Sequence, residues 1–182
     1  MTDAMKTDAP EAATGPTDLP GLLAQQFGMV YAVVAANTDG MSQEDSLAQP
    51  QPSGNCANWI VAHLLVVHNS LMQLLGEAPV LEDARLTLET LFEPIVRPDQ
   101  AFDWDTMRDR FVDSEDRCVA AVARLSSDEL ARPMTGPFGE PTTLAGLLGT
   151  VAGHQIYHAG QLGVARRIAG LEGAVRGPGQ DA

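Results

Sequence analysis

The sequence predicts an all-α fold, a four-helix bundle with long crossover connections. Three observations lead there. Four long segments carry apolar residues at helical spacing, three or four apart. No segment alternates apolar and polar residues convincingly, as a half-buried strand would. The connections are unequal, and the long ones after the first and second helices argue against a simple up-down-up-down order.

The first helix is expected from about Asp18 to Thr38, with the stripe Leu19, Leu22, Leu23, Phe27, Val30, Val33 and Val34. Asp18 suits the N-cap and Pro20 the first turn. A polar loop, Asp39 to Gly54, follows with Pro50 and Pro52.

The second helix is expected from about Cys56 to Leu75, with Asn55 as cap. Its stripe is Trp59, Ile60, His63, Val67, Ser70, Leu71 and Leu74. Gly76 ends it and Pro79 follows. Residues 77–103 form a long connection broken by Pro94 and Pro98, with room for a short helix over Glu82–Glu93.

The third helix runs from about Trp104 to Leu125 on the stripe Trp104, Met107, Phe111, Cys118, Val122 and Leu125. Arg132 to Thr142 reads as a turn segment, with Gly136-Pro137 and Gly139. The fourth helix starts near Thr142 or Thr143 and reaches Ala169. Its stripe is Leu147, Val151, His154, His158, Leu162, Ala165 and Ala169.

The bundle thus occupies residues 18–170. Residues 1–17 are rich in Thr, Ala, Asp, Gly and Pro and bury too little apolar surface to order themselves, so a disordered tail is expected. Residues 171–182 read as a flexible C-terminal tail on the same ground. Nothing near Met1 resembles a signal peptide, and no apolar segment reaches transmembrane length free of polar interruption. The expectation is a cytoplasmic protein without a membrane partner. A net charge of −13 disfavours nucleic-acid phosphate and anionic lipid, which both call for clustered Lys and Arg. Two cysteines, Cys56 and Cys118, imply no disulfide framework.

The chemistry lies in the histidines, of which there are four. His154 and His158 stand four apart, so a helix presents both on one face, one turn apart. Both can reach one metal ion. His63 lies on the stripe of another helix. Two ligands from one helix and one from a second make a three-histidine site with an open position, the pattern of a metal that meets a substrate. The alternative is a hydrogen-bonded core cluster. It would have to satisfy three buried imidazoles with other polar groups, and few stand on these stripes.

His68 is rotated by roughly 140° from His63 and reads as a surface or helix-interface residue. Cys56 lies roughly 10 Å along the helix from His63, too far to share an ion, and Cys118 reads as a small apolar core residue. His154-Gln-Ile-Tyr-His158 is close to the zincin pattern but has Gln155 where a general-base Glu belongs, which argues against a peptidase. Gln161, one turn after His158, suits a role just behind the ligands. Gly146, Gly149, Gly153, Gly160 and Gly163 weaken the fourth helix by about 1 kcal/mol each against Ala. Close helix approach or room around a site would account for them.

Three stretches resemble the DinB/YfiT-like superfamily of metal-dependent hydrolases and thiol transferases. They are Asn58-Trp59-Ile-Val-Ala-His63-Leu, Thr135-Gly-Pro-Phe-Gly-Glu-Pro-Thr-Thr-Leu144 and His154-xxx-His158-Ala-Gly-Gln161-Leu. With the helix order, the resemblance covers roughly Leu19 to Ala169. It implies a DinB-like bundle with one divalent ion, zinc or nickel, on His63, His154 and His158. It also implies a small-molecule substrate or a low-molecular-weight thiol, and a homodimer. Gln155 and Ala159 depart from the Glu and Arg of many members, which affects substrate more than ligands. The expected activity is hydrolysis or thiol transfer through an activated water or thiol. The rival expectation is a non-catalytic metal-binding stress-response or sensor module. A third is an interaction bundle without metal.

Overall fold

The computed structural model describes residues 18–51, 53–87 and 93–174. Both tails beyond residues 18–174 lie outside these. The short helix expected over Glu82–Glu93 is absent from residues 82–87, which form turns, and residues 88–92 lie outside the described residues.

Helix α1 (Leu19–Thr38) starts where Asp18 accepts a hydrogen bond from the Gly21 amide, with Pro20 in the first turn. A short α2 (Gln43–Ser46) interrupts the expected polar loop, closed by a reciprocal Ser42–Asp45 capping box. Helix α3 (Ala57–Leu74) has Cys56, not Asn55, at its N-cap, without a side-chain cap bond. A 3-10 turn, Pro98–Gln100, precedes α4 (Trp104–Val112).

The expected third helix is two helices, α4 and α5 (Glu115–Ala123). The break falls at Ser114. Its hydroxyl donates to the Phe111 carbonyl at 2.6 Å and its amide bonds the same carbonyl at 3.1 Å. Local serine bonding of this kind competes with the regular helical ladder. After a one-turn α6 (Ser127–Leu130), the expected turn segment is a β-hairpin. Strands β1 (Pro133–Thr135) and β2 (Pro141–Thr143) pair antiparallel, Met134 opposite Thr142, and Gly139 takes φ +85 in the turn. Three-residue strands are too short to show alternation in sequence. Helix α7 (Leu144–Ile168) follows, capped by Thr143.

Helix α1 packs against α7, α5 and α4, whereas α3 packs against α7 and α4. Helices α1 and α3 therefore stand on one diagonal, and α5 and α7 on the other. The chain crosses the bundle after its first and third long elements. The expectation of a non-sequential topology holds, but the long 77–103 connection joins neighbours. The hairpin makes the second crossing. Phe27, Val30 and Val34 of α1 meet Leu64, Leu65, Phe111, Val122, Leu148 and Leu162 in the core, all buried.

Helix α1 is by length and composition apolar enough to cross a bilayer, although Gln25 and Gln26 interrupt its apolar run, as the sequence reading expects. Here its Leu23–Phe27–Val30–Val34 face is spent on the bundle core.

Two stripes are rotated from their expected positions. On α7 the buried line is Leu144, Leu148, Ala152, Gln155, Ala159 and Leu162. On α3 nearly every side is buried, and His63, Val67 and Ser70 form the least buried line. His63 and His154 are thus half-buried at the edge of the core instead of within it, and His158 is buried.

Candidate metal centre

Helix α3 supplies His63, and α7 supplies His154 and His158 one turn apart. The α3–α7 contact brings the three rings together. His154 Nε2 lies 3.2 Å from His63 Nε2 and 3.2 Å from His158 Nε2. Among the described residues this is the one group of three or more potential ligands that converges in this way. Tetrahedral binding with metal–nitrogen bonds of 2.0–2.1 Å places ligand nitrogens about 3.3–3.4 Å apart. The spacing and the all-imidazole chemistry both fit a divalent ion. All three residues expected from sequence are brought together, and neither buried cysteine joins them.

Each ring is held differently. His158 Nδ1 donates to Gln161 Oε1 at 2.7 Å, and Gln161 Nε2 donates to the Tyr157 hydroxyl at 3.1 Å. That bond puts the His158 proton on Nδ1 and leaves the Nε2 lone pair facing its neighbours. Gln161 takes the supporting place expected for it. Tyr157 is 63% exposed, its ring set edge-on to His158 at 5.1 Å. The Nδ1 atoms of His63 and His154 are buried with no hydrogen-bond partner in the protein. His63 is held instead by Trp59, whose indole Nε1 donates to the Glu93 carbonyl at 3.0 Å.

Burial holds all three imidazoles below their ordinary pKa. For His63 burial and then the neighbouring His158 and His154 lower it to about 4. Around neutral pH the rings are neutral, the form that ligates metal.

His68 corrects the sequence reading. It is fully buried, although it does stand at a helix junction and outside the triad. Its Nδ1 meets Gln155 Nε2 at 3.0 Å and its Nε2 meets the Tyr31 hydroxyl at 2.5 Å. Tyr31 in turn meets Ser114 Oγ at 3.0 Å. The sequence carries the signal: Val61, Leu64, Leu65, His68, Leu71 and Met72 repeat at helical spacing and are all buried.

The glycines of α7 do not break it, since the helix runs unbroken for 25 residues. Only one of them, Gly163, meets a neighbouring helix. A Cβ there would lie 3.2 Å from Asn37 Oδ1 of α1, whose amide donates to the Ala159 carbonyl. Gly149, Gly153 and Gly160 face open space.

The family model of the DinB superfamily matches residues 26–162. No curated protein matches the chain in sequence. Two of the solved structures that share its fold are the following. One is a conserved protein from Enterococcus faecalis, 14% identical with TM-score 0.63, the match covering 85% of this chain and 98% of that one. The other is YfiT from Bacillus subtilis, described as a probable metal-dependent hydrolase with an unusual four-helix bundle topology. It is 19% identical with TM-score 0.61, over 91% of this chain and 95% of that one.

Proposed function

The chain belongs to the DinB superfamily, and on that premise we propose that it is a divalent-metal-dependent enzyme acting by hydrolysis or thiol transfer. His63, His154 and His158 are the proposed ligands, each through Nε2, and zinc or nickel is the proposed ion. The observation that carries this reading is the convergence of one nitrogen from each of three imidazoles within 4.8 Å of one another, two of the separations being 3.2 Å. When bound, the ion supplies a Lewis acid that makes a water or small thiol in its open position more acidic.

The chain's own residues supply the rest. Burial keeps the imidazoles unprotonated, so no charge repels the cation. Gln161 fixes the His158 tautomer. Trp59 fixes the plane of His63 and shields that ring from water. Three neutral ligands leave the charge of the ion uncompensated, which favours an anionic fourth ligand such as a thiolate. The partner is accordingly a small-molecule substrate or a low-molecular-weight thiol.

Elemental analysis of the purified protein, followed by assay against hydrolase and thiol-transfer substrates, tests the reading. One divalent ion per chain with turnover is expected. Metal without turnover would assign the protein to the binding or sensor class, and absence of metal would make it an interaction bundle.

A further inference from the structure

Helices α3 and α7 are tied at two polar points. One is the histidine triad, where His63 meets His154 at 3.2 Å. The other is the buried bond between His68 and Gln155, at 3.0 Å. On α3 the two points are five residues apart, roughly 7.5 Å along the axis. On α7 they are adjacent residues, roughly 100° apart around the helix.

The donor order in the second tie can be read. Gln155 Nε2 can only donate, so His68 Nδ1 accepts. The His68 proton is then on Nε2 and donates to the Tyr31 oxygen. The Tyr31 hydroxyl is free to donate to Ser114 Oγ, and Ser114 donates to the Phe111 carbonyl. Reversing the Gln155 amide would leave its two N–H donors where one acceptor, Oε1, now lacks a partner. The chain of donors runs from α7 through α3 and α1 to the α4–α5 junction.

Gln155 is fully buried, and its Oε1 has no protein partner. A leucine there would remove the unpaired buried oxygen but would leave His68 Nδ1 without its partner, so the amide and the imidazole form one buried polar pair. Apolar burial along Leu144, Leu148, Ala152, Ala159 and Leu162 holds α7 in the bundle, but burial is non-directional. A hydrogen bond between two buried groups is directional in both distance and angle.

We propose that the Gln155–His68 bond sets the rotation and axial register of α7 against α3, so that His154 and His158 meet His63. Gln155 and His68 are positioning residues, and the inference rests on the ligand reading given above.

The test uses the full chain, with zinc affinity measured by chelator competition and the visible spectrum of the cobalt form. Gln155→Met keeps the volume and removes the bond, and His68→Leu removes it from the other side. Ser114→Ala breaks the same network without touching α3 or α7. Each position-155 or position-68 variant should weaken zinc binding about tenfold or more and alter the cobalt bands. The double variant should lose no more than either single variant, because both remove one bond. Ser114→Ala should lower the melting temperature and leave zinc affinity unchanged. Should Gln155→Met fail to fold, His68→Leu carries the same comparison. A lowered melting temperature with unchanged zinc affinity in the Gln155 and His68 variants would overturn the proposal and leave the ligand assignment standing. A wild-type protein that binds no divalent ion would overturn both.

Discussion

The indole of Trp59 lies flat on the imidazole of His63, with ring centroids 4.9 Å apart and planes 5° from parallel. An ion on His63 would sit within one ring of the fluorophore. Cobalt or nickel should therefore quench the Trp59 emission. Trp104, buried and hydrogen-bonded to the Met41 carbonyl, supplies a second signal away from the triad. A metal titration of the wild type and of Trp59→Phe measures this. Equal quenching in both would remove Trp59 from the neighbourhood of the ion.

The ligands predict a second set of outcomes. His63→Ala, His154→Ala and His158→Ala should each strip most of the metal from the purified protein, while folding is retained in the first two because His63 and His154 are only half-buried. Metal content and circular dichroism check both halves. Full occupancy after removal of any one of the three would show a different ligand set.

Gln161 acts through His158. Gln161→Leu removes the 2.7 Å acceptor that keeps the His158 proton on Nδ1. Loss of such a partner costs about 10–100-fold in metal affinity. Competition against a chelator measures it, and an effect below twofold would mean that His158 needs no such hold.

The pH dependence follows from the lowered pKa values. Protons compete with metal for each imidazole, and they compete only below the folded-state pKa. Burial lowers that value at all three sites, to about 4 at His63. Affinity should change little from pH 7.5 to about 6.5, the ordinary imidazole value, and fall as the solution becomes more acid. An affinity already declining steeply above pH 7 would contradict burial of the rings.

His68 predicts a stability effect in the metal-free protein. Burial lowers its pKa to about 4, against an ordinary value of 6.5. Below about pH 6.5 the unfolded chain takes up this proton before the folded one does, so stability falls until the folded-state pKa is reached. The loss is on the order of 3 kcal/mol between pH 7 and pH 4. His68→Gln should reduce that slope and leave the part owed to His63, His154 and His158, as denaturant unfolding at several pH values will show. Tyr31→Phe should cost about 1–3 kcal/mol at neutral pH, because His68 Nε2 and Ser114 lose a buried partner.

The triad was legible in the sequence because two of its members stand one turn apart and helical geometry alone joins them. The third, His63, stands out for its chemistry, although it lies at the edge of the buried face of α3 and not at its centre. An edge site needs half-buried positions, and a hydrophobic pattern does not separate the edge of a stripe from its centre. Gln155 and His68 are legible only as residues at a helix interface. The pairing of two buried polar groups that are 87 residues apart cannot be read from either position alone. The α4–α5 break was hidden as well. Ser114 is tolerated within a helical pattern, and only its turn back to Phe111 marks the interruption. The order of the helices was only partly readable, since loop length does not say which corner of the bundle a chain returns to.

His63 and His154 are 91 residues apart in the chain. With an ion between them, half of the polypeptide would be closed into a loop by one removable staple. A ligand that binds only the folded form stabilises it by about 2.7 kcal/mol at a hundred times its dissociation constant. On the proposed ligation, the survival of this protein in a cell would follow the supply of free metal. Scarcity would expose it to proteolysis, and repletion would lengthen its life without any change in synthesis.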